Sequence, residues 1–393
     1  MKYIVHLGFS GFPKGMASTQ RTFLTFKGLK GAGVNPLIIN KISHHQYADN
    51  NKVKHFDGIP YVNTACYNSK PASFIKRNIN KLSGYFGELR LLVKKKNEIS
   101  TAILYSTYFL EYPYYFFISR ILRFKIVIQY VELFSAIPGR QSFFTKINDH
   151  LIDKYIGLFC DGVIAISEHL KDAVKKSSPD TPVFKMPANS DFSIIEAVSA
   201  SNTGSYLMYC GTIYYEEVIE FLISVFIKLK ENNKYEGYLL LVISGDHETN
   251  WQKLRSFIKT KSFQEEIIIK SDIPYSDLLS YYKGAELLLI PMRNSLQDIA
   301  RFPHKIGEYT AAKRPILSTN IGELRFYFKD GVSALLVDSF SIDAYYEKIC
   351  TTIGSKSKLD EIGYNGYRIG MDNFDYKMQG EKLKEFIDSV HKN

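Results

Sequence analysis

Residues 286–318 are ELLLIPMRNSLQDIARFPHKIGEYTAAKRPILS. This stretch predicts a strand at Glu286–Ile290, a helix from about Pro303 to Ala312 and a second strand at Pro315–Ser318. Proline suits the first turn of a helix, where its missing N–H is not needed, and a second proline lies just past the helix end. Two continuously apolar strands joined by a helix are typical of parallel strands in a sheet that is buried on both faces.

The same alternation of apolar strand and amphipathic helix runs through the whole chain and occurs as two sets. The predicted strands of the first set are Tyr3–Leu7, Pro36–Ile39, Ala102–Tyr105, Ile126–Tyr130 and Gly162–Ile166. Those of the second set are Tyr206–Tyr209, Leu239–Ile243, Ile267–Ile269, Glu286–Ile290 and Pro315–Ser318. The sequence therefore predicts an α/β protein with two doubly wound parallel-sheet domains that face a central cleft.

The domain limits follow from changes in composition. We expect an N-terminal domain over residues 1–190, a small polar linker over 191–205 and a C-terminal domain over 206–372. Residues 373–393 include an amphipathic, charged helix at Asp375–His391, which we expect to cross the domain junction.

The 393 residues carry a net charge of +10, and this charge is unevenly distributed. Residues 1–190 carry +14 and residues 191–393 carry −4. A basic half favours an anionic partner, such as nucleic acid, a membrane surface or a phosphorylated substrate. Segment 74–96 interleaves basic and apolar residues at helical spacing, which fits an anionic membrane surface or an ordinary solvated helix face.

The four cysteines, Cys66, Cys160, Cys210 and Cys350, are widely scattered and form no CxxC spacing. This pattern disfavours a zinc site or a disulfide framework and favours a reducing, cytoplasmic location. No run of 18 apolar residues occurs, so we expect no membrane-spanning segment, although peripheral binding at the inner membrane face stays open.

The richest functional signal lies around the predicted helix at Pro303. Arg301 precedes the helix, and Lys305 and Glu308 share one face near its start. Cations at a helix N-terminus suit a phosphate, and a carboxylate one turn deeper can accept hydrogen bonds from a ribose diol. The alternative is a surface cluster of charged residues.

Other candidate residues follow the predicted strands, where ligands bind in such sheets. Gly15 precedes the first helix, and Glu132 follows an apolar strand, although a helix cap or salt bridge would also explain this carboxylate. Strand ends in the second half carry Gly211, Thr212 and Gly245. The chain has no phosphate loop of the GxxxxGK[ST] type, no nucleophile elbow, no Asp-x-Asp metal pair and no dinucleotide fingerprint.

Taken in order, these segments resemble the retaining glycosyltransferases of the GT-B fold, of the group 1 or family 4 type. Residues 302–317, FPHKIGEYTAAKRPIL, look like the family's sugar-nucleotide motif. Further similar segments are Lys14–Thr19, Asp161–Leu170, Met186–Asp191, Tyr209–Thr212, Asp277–Pro291 and Asn320–Val337.

The resemblance implies two Rossmann-like domains. The C-terminal one would hold a nucleoside-diphosphate sugar, and the N-terminal one would hold the acceptor. Glu308 would bind the ribose, and Gly15 would approach the phosphates. The donor site would be lined by Lys305 and by the backbone of Phe302, Pro303 and His304. Gly211, Thr212 and Gly245 would complete the donor site, and the catalytic set would be Glu132, Lys305, Arg301 and Asp298.

The sequence departs from the family pattern at three places. Ala300 replaces the first Glu of the E-x7-E motif, and Asp298 is the nearest acid. The family usually has an Arg and a Lys after Gly211 that bind the diphosphate, and Thr212 and residues 213–217 stand there instead. Arg301 or Arg293 would compensate for their loss. Glu132 stands near the expected place of a cleft histidine.

The sequence thus predicts sugar transfer to a hydroxyl acceptor with retention of configuration, and the acceptor would be lipid-linked or a surface-polysaccharide intermediate. No metal and no cofactor besides the donor are expected, because protein cations would stabilise the leaving diphosphate. The alternatives are a sugar-nucleotide epimerase or phosphorylase of the same fold and an NADP-dependent oxidoreductase with Lys41 on the 2′-phosphate. A nucleic-acid binder ranks last, because no base-stacking or groove-reading motif is present.

Overall fold

The computed structural model describes residues 2–8, 11–13, 15, 17–41, 52–66, 73–140 and 142–392. The chain divides into two compact units. The N-terminal unit contains the described residues up to Asn189 and those from Tyr376 onward, and the C-terminal unit is Ser190–Asp375.

The N-terminal unit contains an eight-stranded sheet in which all neighbouring strands are parallel except β3 and β4. The strand order is β3-β4-β2-β1-β5-β6-β7-β8. The strands are β1 Tyr3–Gly8, β2 Asn35–Asn40, β3 Lys54–Phe56, β4 Ile59–Asn63, β5 Ile99–Tyr105, β6 Lys125–Tyr130, β7 Gly162–Ala165 and β8 Val183–Lys185. Its first five helices are α1 Ala17–Gly31, α2 Phe74–Lys94, α3 Glu111–Leu122, α4 Phe143–Tyr155 and α5 Glu168–Ser177.

The C-terminal unit contains a six-stranded, wholly parallel sheet in the order β11-β10-β9-β12-β13-β14. The strands are β9 Tyr206–Thr212, β10 Tyr238–Ser244, β11 Ile267–Lys270, β12 Leu287–Ile290, β13 Ile316–Thr319 and β14 Leu335–Val337. The helices are α6 Phe192–Ala197, α7 Glu216–Glu231, α8 Glu248–Lys259, α9 Tyr275–Gly284, α10 Leu296–Ala300, α11 Lys305–Ala311, α12 Ile342–Thr352 and α13 Lys356–Phe374.

All ten predicted strands are present, with their ends displaced by three residues or fewer. Their apolar side chains form the cores because parallel strands are covered by helices on both faces. In the C-terminal unit, Leu207 and Leu241 of the sheet share a buried cluster with Leu222 and Phe226 of α7. The predicted fold class, with two Rossmann-like parallel-sheet units, is confirmed.

The predicted linker is part of the C-terminal unit. It contains helix α6, which Asp191 caps by accepting a 3.3 Å hydrogen bond from the Ile194 N–H. Phe192 is only 2% exposed and its ring lies 5.9 Å from that of Tyr367. Burial and capping therefore give this segment a fixed helical structure, whereas its small polar composition predicted an irregular connection.

The last helix, α14, spans Tyr376–Val390 and belongs to the N-terminal unit. It packs along α1 where Gly28 meets Gly380, and a Cβ on Gly28 would lie 2.3 Å from the Tyr376 carbonyl oxygen. Leu383 and Ile387 join the core cluster of that unit. The helix predicted at Asp375–His391 is thus confirmed in position, and its packing partner is α1.

No helix among the described residues is long and apolar enough to cross a membrane.

Candidate functional site

The carboxyl ends of β9 and β10 lie side by side in the C-terminal unit. The Ser244 hydroxyl donates to the Gly211 carbonyl at 3.3 Å, and the Ile213 N–H donates to the Ser244 carbonyl at 2.8 Å. Gly245 has φ +114°, a backbone conformation that other residues rarely adopt, and its carbonyl accepts from the indole of Trp251 at 2.8 Å. The structure therefore brings together Gly211, Thr212 and Gly245, as the sequence analysis expected.

Asp298 organises two arginines next to this edge. Its carboxylate accepts from Arg293 Nε at 3.0 Å and from the Arg293 N–H at 2.8 Å, and it pairs with Arg301 at 2.8 Å. These hydrogen bonds raise the pKa of Arg293. Asp298 is completely buried. Its burial and its pairing with two guanidiniums favour a role in positioning them over the predicted direct role in catalysis.

Tyr215 links the two arginines to the loop that follows β9. The guanidinium carbons of Arg293 and Arg301 lie 5.6 and 4.8 Å from the centre of its ring, and Arg301 also donates to its hydroxyl. Arg293 also pairs with Glu217 at 3.3 Å. Residues 212–217 contain no Arg or Lys, and the guanidiniums of Arg293 and Arg301 lie against this loop instead.

Lys305 and Glu308 lie on the first turn of α11. The Lys305 ammonium is 5.0 Å from the centre of the Tyr209 ring, and burial lowers the pKa of this lysine. The Tyr275 hydroxyl donates to Glu308 at 2.8 Å. Burial raises the pKa of Glu308, and the hydrogen bond from Tyr275 and the charge of Lys305 oppose this rise. The two charges therefore share a partly desolvated environment in which a diol or an anion would interact strongly.

The three residues before α11 differ in exposure. The ring of Phe302 is buried against Tyr327 and Phe374, with ring centres 5.8 and 5.2 Å apart, so only its backbone could meet a ligand. Pro303 and His304 are half-buried. The helix itself has only seven residues, because it starts at Lys305, two residues later than predicted, and ends at Ala311, one residue earlier.

Two predicted residues lie in the N-terminal unit. Gly15 lies two residues before the start of α1, and a Cβ there would lie 2.1 Å from the Thr19 hydroxyl oxygen. Glu132 follows β6 and is half-buried near Arg21, a guanidinium that the sequence analysis missed. Burial lowers the pKa of Arg21 to about 10, while Tyr105 and Glu132 act in the opposite direction.

Lys41 cannot serve as the 2′-phosphate anchor of a dinucleotide. Its ammonium is buried and pairs with Glu111 at 2.6 Å, and it donates to the hydroxyls of Tyr85 and Tyr115 at 3.3 and 3.2 Å. A lysine neutralised inside the protein is not available to a ligand, so the geometry argues against an NADP-dependent oxidoreductase.

Glu88 accepts a hydrogen bond from Tyr115 and interacts electrostatically with the buried Lys41. Its titration should make the stability of the folded protein depend on pH. Burial raises the pKa of Glu88 to about 7, above the ordinary value of 4.5. The folded state therefore holds the proton more tightly, and stability is lost as pH rises from 4.5 to 7. We expect wild type to lose about 3 kcal/mol relative to Glu88→Gln over this window.

Urea unfolding of both proteins at pH 4 and pH 8 measures this difference. Burial lowers the pKa of His6 to about 3, which costs stability as pH falls below 6.5, but His6 is present in both proteins and cancels. Parallel pH profiles of the two proteins would contradict the assignment to Glu88.

Comparison with known proteins agrees with this geometry. Residues 191–369 match the model of the family "Glycosyl transferases group 1". No curated protein sequence matches the chain significantly.

Solved structures match over the whole chain. Sucrose-phosphate synthase from Thermosynechococcus elongatus superposes with a TM-score of 0.75 at 14% identity, covering 100% of both chains. A glycosyltransferase from Rickettsia africae gives 0.71 at 16%, covering 100% of this chain and 99% of that one. Anabaena HepE in complex with UDP-glucose gives 0.70 at 12%, covering 99% and 100%.

At these identities the structural likeness establishes the fold, and the family match establishes the kind of C-terminal domain. The resemblance to group 1 glycosyltransferases of the GT-B fold is therefore confirmed. Residues 191–369 form a group 1 glycosyltransferase domain, and the whole chain has the GT-B fold.

Proposed function

We propose that the enzyme transfers a sugar from a nucleoside-diphosphate sugar to a hydroxyl group, with retention at the anomeric carbon and without a metal ion. The observation that carries the proposal is the grouping of Arg293, Arg301 and Lys305 with the carboxylate of Glu308 in the group 1 domain. The complexes of HepE with UDP and with UDP-glucose support a nucleotide-sugar donor.

The cations would serve the leaving group. Bond cleavage at the anomeric carbon produces an oxocarbenium-like sugar and leaves negative charge on the diphosphate. Two guanidiniums fixed by Asp298 and Tyr215, and a lysine already desolvated, would stabilise this charge without having to reorganise. Protein cations would thus do what a divalent ion does in other transferases.

Glu308 would bind the ribose of the donor. Its carboxylate accepts a hydrogen bond from Tyr275, and a carboxylate has further lone pairs that a diol could use. We further propose that the acceptor is lipid-linked or a surface-polysaccharide intermediate, and that the enzyme works in the cytoplasm at the inner face of the membrane. The basic N-terminal half supports an anionic acceptor side.

A thermal-shift panel of nucleoside diphosphates and their sugars tests the donor class. At a concentration of 100 Kd, the correct nucleotide should stabilise the native state by about 2.7 kcal/mol through mass action. We expect a rise in melting temperature for one nucleotide series. EDTA should leave this rise unchanged, and the Lys305→Ala variant should not show it. If no nucleotide raises the melting temperature, the donor proposal fails, and if EDTA removes the shift, metal independence fails.

A further inference from the structure

Helix α2 presents an apolar stripe on its outer surface. Its exposed apolar residues include Ile75, Ile79, Leu82, Phe86 and Val93, at spacings of four, three, four and seven positions, and their exposed fractions are 70%, 47%, 60%, 71% and 49%. At 1.5 Å per residue, this 21-residue helix is about 30 Å long. A helix that only covers a core normally exposes polar residues there, so the stripe needs a partner.

The two following helices repeat this feature. On α3 and just before it the exposed residues are Leu110 77%, Phe117 63% and Ile121 78%, and on α4 they are Phe143 71%, Phe144 82% and Ile147 43%. The connections β4–β5, β5–β6 and β6–β7 all proceed in one direction across the sheet. Right-handed crossovers place their helices on the same face of the sheet.

Ring contacts show that these helices are neighbours. Tyr85 of α2 lies 5.9 Å from Tyr114 of α3, and Phe116 of α3 lies 6.1 Å from Phe159, four residues beyond α4. The three apolar stripes therefore belong to one continuous layer, which we call the outer helix surface, formed by the exposed residues of α2, α3 and α4.

Charges on this layer are segregated by sign. The three helices contain four carboxylates, and each has an internal partner: Glu88 with Tyr115, Glu111 with Lys41, Asp149 with Arg140 and Asp153 with Tyr130. The exposed ionised groups are basic and include Lys76, Lys81, Arg90, Lys94, Lys146 and Lys154. The outer helix surface is thus both apolar and positively charged.

We propose that the outer helix surface docks on an anionic lipid bilayer. The apolar side chains would enter the boundary between headgroups and acyl chains, while the lysines and Arg90 would bind the anionic headgroups. A second copy of the chain fits poorly, because two such surfaces would bring like charges together. The proposal deepens the proposed function, and rests on it, by placing the enzyme where a lipid-linked acceptor is found.

Flotation of the full chain with vesicles tests the proposal. We expect binding to vesicles containing phosphatidylglycerol and little binding to pure phosphatidylcholine, and we expect added salt to weaken it. Lys81→Glu/Arg90→Glu should lower the bound fraction at least tenfold. The matched control Lys356→Glu/Lys358→Glu on α13 makes the same change in net charge at exposed positions and should bind like wild type.

The apolar contribution is tested separately by Phe86→Glu/Phe144→Glu, which should also reduce flotation at least tenfold. Its control is Tyr364→Glu, at a residue of α13 that is 54% exposed. An unchanged melting temperature shows that each variant is folded.

Equal flotation of the helix-surface and control variants would overturn the proposal. So would a concentration-dependent dimer that Phe86→Glu/Phe144→Glu dissociates, or salt-sensitive binding to nucleic acid in place of vesicles. Nucleotide-induced thermal shifts in the same variants report on the donor site alone. Failure of membrane docking is therefore distinguishable from failure of sugar transfer.

Discussion

Alanine in place of Lys305 or Glu308 is expected to cut sugar transfer at least tenfold. Lys305→Ala removes a desolvated cation that would stabilise charge on the leaving diphosphate, and loss of one such donor typically costs a factor of about 10²–10³ in kcat. Glu308→Ala removes the proposed ribose acceptor, so we expect its main effect on donor affinity and hence on KM.

Initial rates over a range of donor concentrations measure both effects. Tyr275→Phe is an informative companion variant, because it removes only the hydroxyl that donates to Glu308 and should cause a smaller rise in KM. Lys358→Ala, at an exposed position of α13, should leave the rate unchanged. If Lys305→Ala and Glu308→Ala both keep full activity, the donor site lies elsewhere.

Asp298→Ala is expected to destabilise the protein by about 3–5 kcal/mol, because it leaves the guanidiniums of Arg293 and Arg301 without their buried counter-ion. The two arginines would also lose their fixed position at Tyr215. The variant should therefore bind nucleoside diphosphates more weakly even at temperatures where it remains folded.

Urea unfolding and nucleotide titration of the same variant measure the two effects. Asp277→Ala, at an exposed carboxylate in the first turn of α9, should change stability by no more than about 0.5 kcal/mol. A loss below about 1 kcal/mol for Asp298→Ala would show that the buried ion pairs do not hold this loop.

Most of the fold follows from continuous apolar runs. The ten predicted strands lie in short runs that consist mostly of apolar residues, a pattern that a buried strand or helix accommodates. Four strands were not predicted. They are β3, β4, β8 and β14, which have three to five residues and lie at or near the sheet edges. Strands such as β3, which is Lys54-His55-Phe56, are defined by pairing with a neighbour, and no local pattern marks them.

The site was partly predictable for a related reason. Gly211 lies at the end of β9, Gly245 directly follows β10, and Lys305 and Glu308 lie in the connection that follows β12. Parallel strands all end at one edge of the sheet. The role of Tyr215 was missed, because its stacking with Arg293 and Arg301 depends on how two loops fold against each other. The burial of Asp298 and the Lys41–Glu111 ion pair are likewise long-range events that residue spacing does not encode.

The return of α14 to the N-terminal unit has a consequence for biosynthesis. The ribosome releases the eight strands of this unit first, but α1 lacks its packing partner until the whole C-terminal unit has been made. Leu383 and Ile387 of α14 supply part of the hydrophobic core of the N-terminal unit. This unit is therefore synthesised before the C-terminal unit but can complete its core only after it. Arrested nascent chains ending before Tyr376 should therefore expose α1 to chaperones and proteases, which makes translation of the final helix the step that commits the enzyme to its native state.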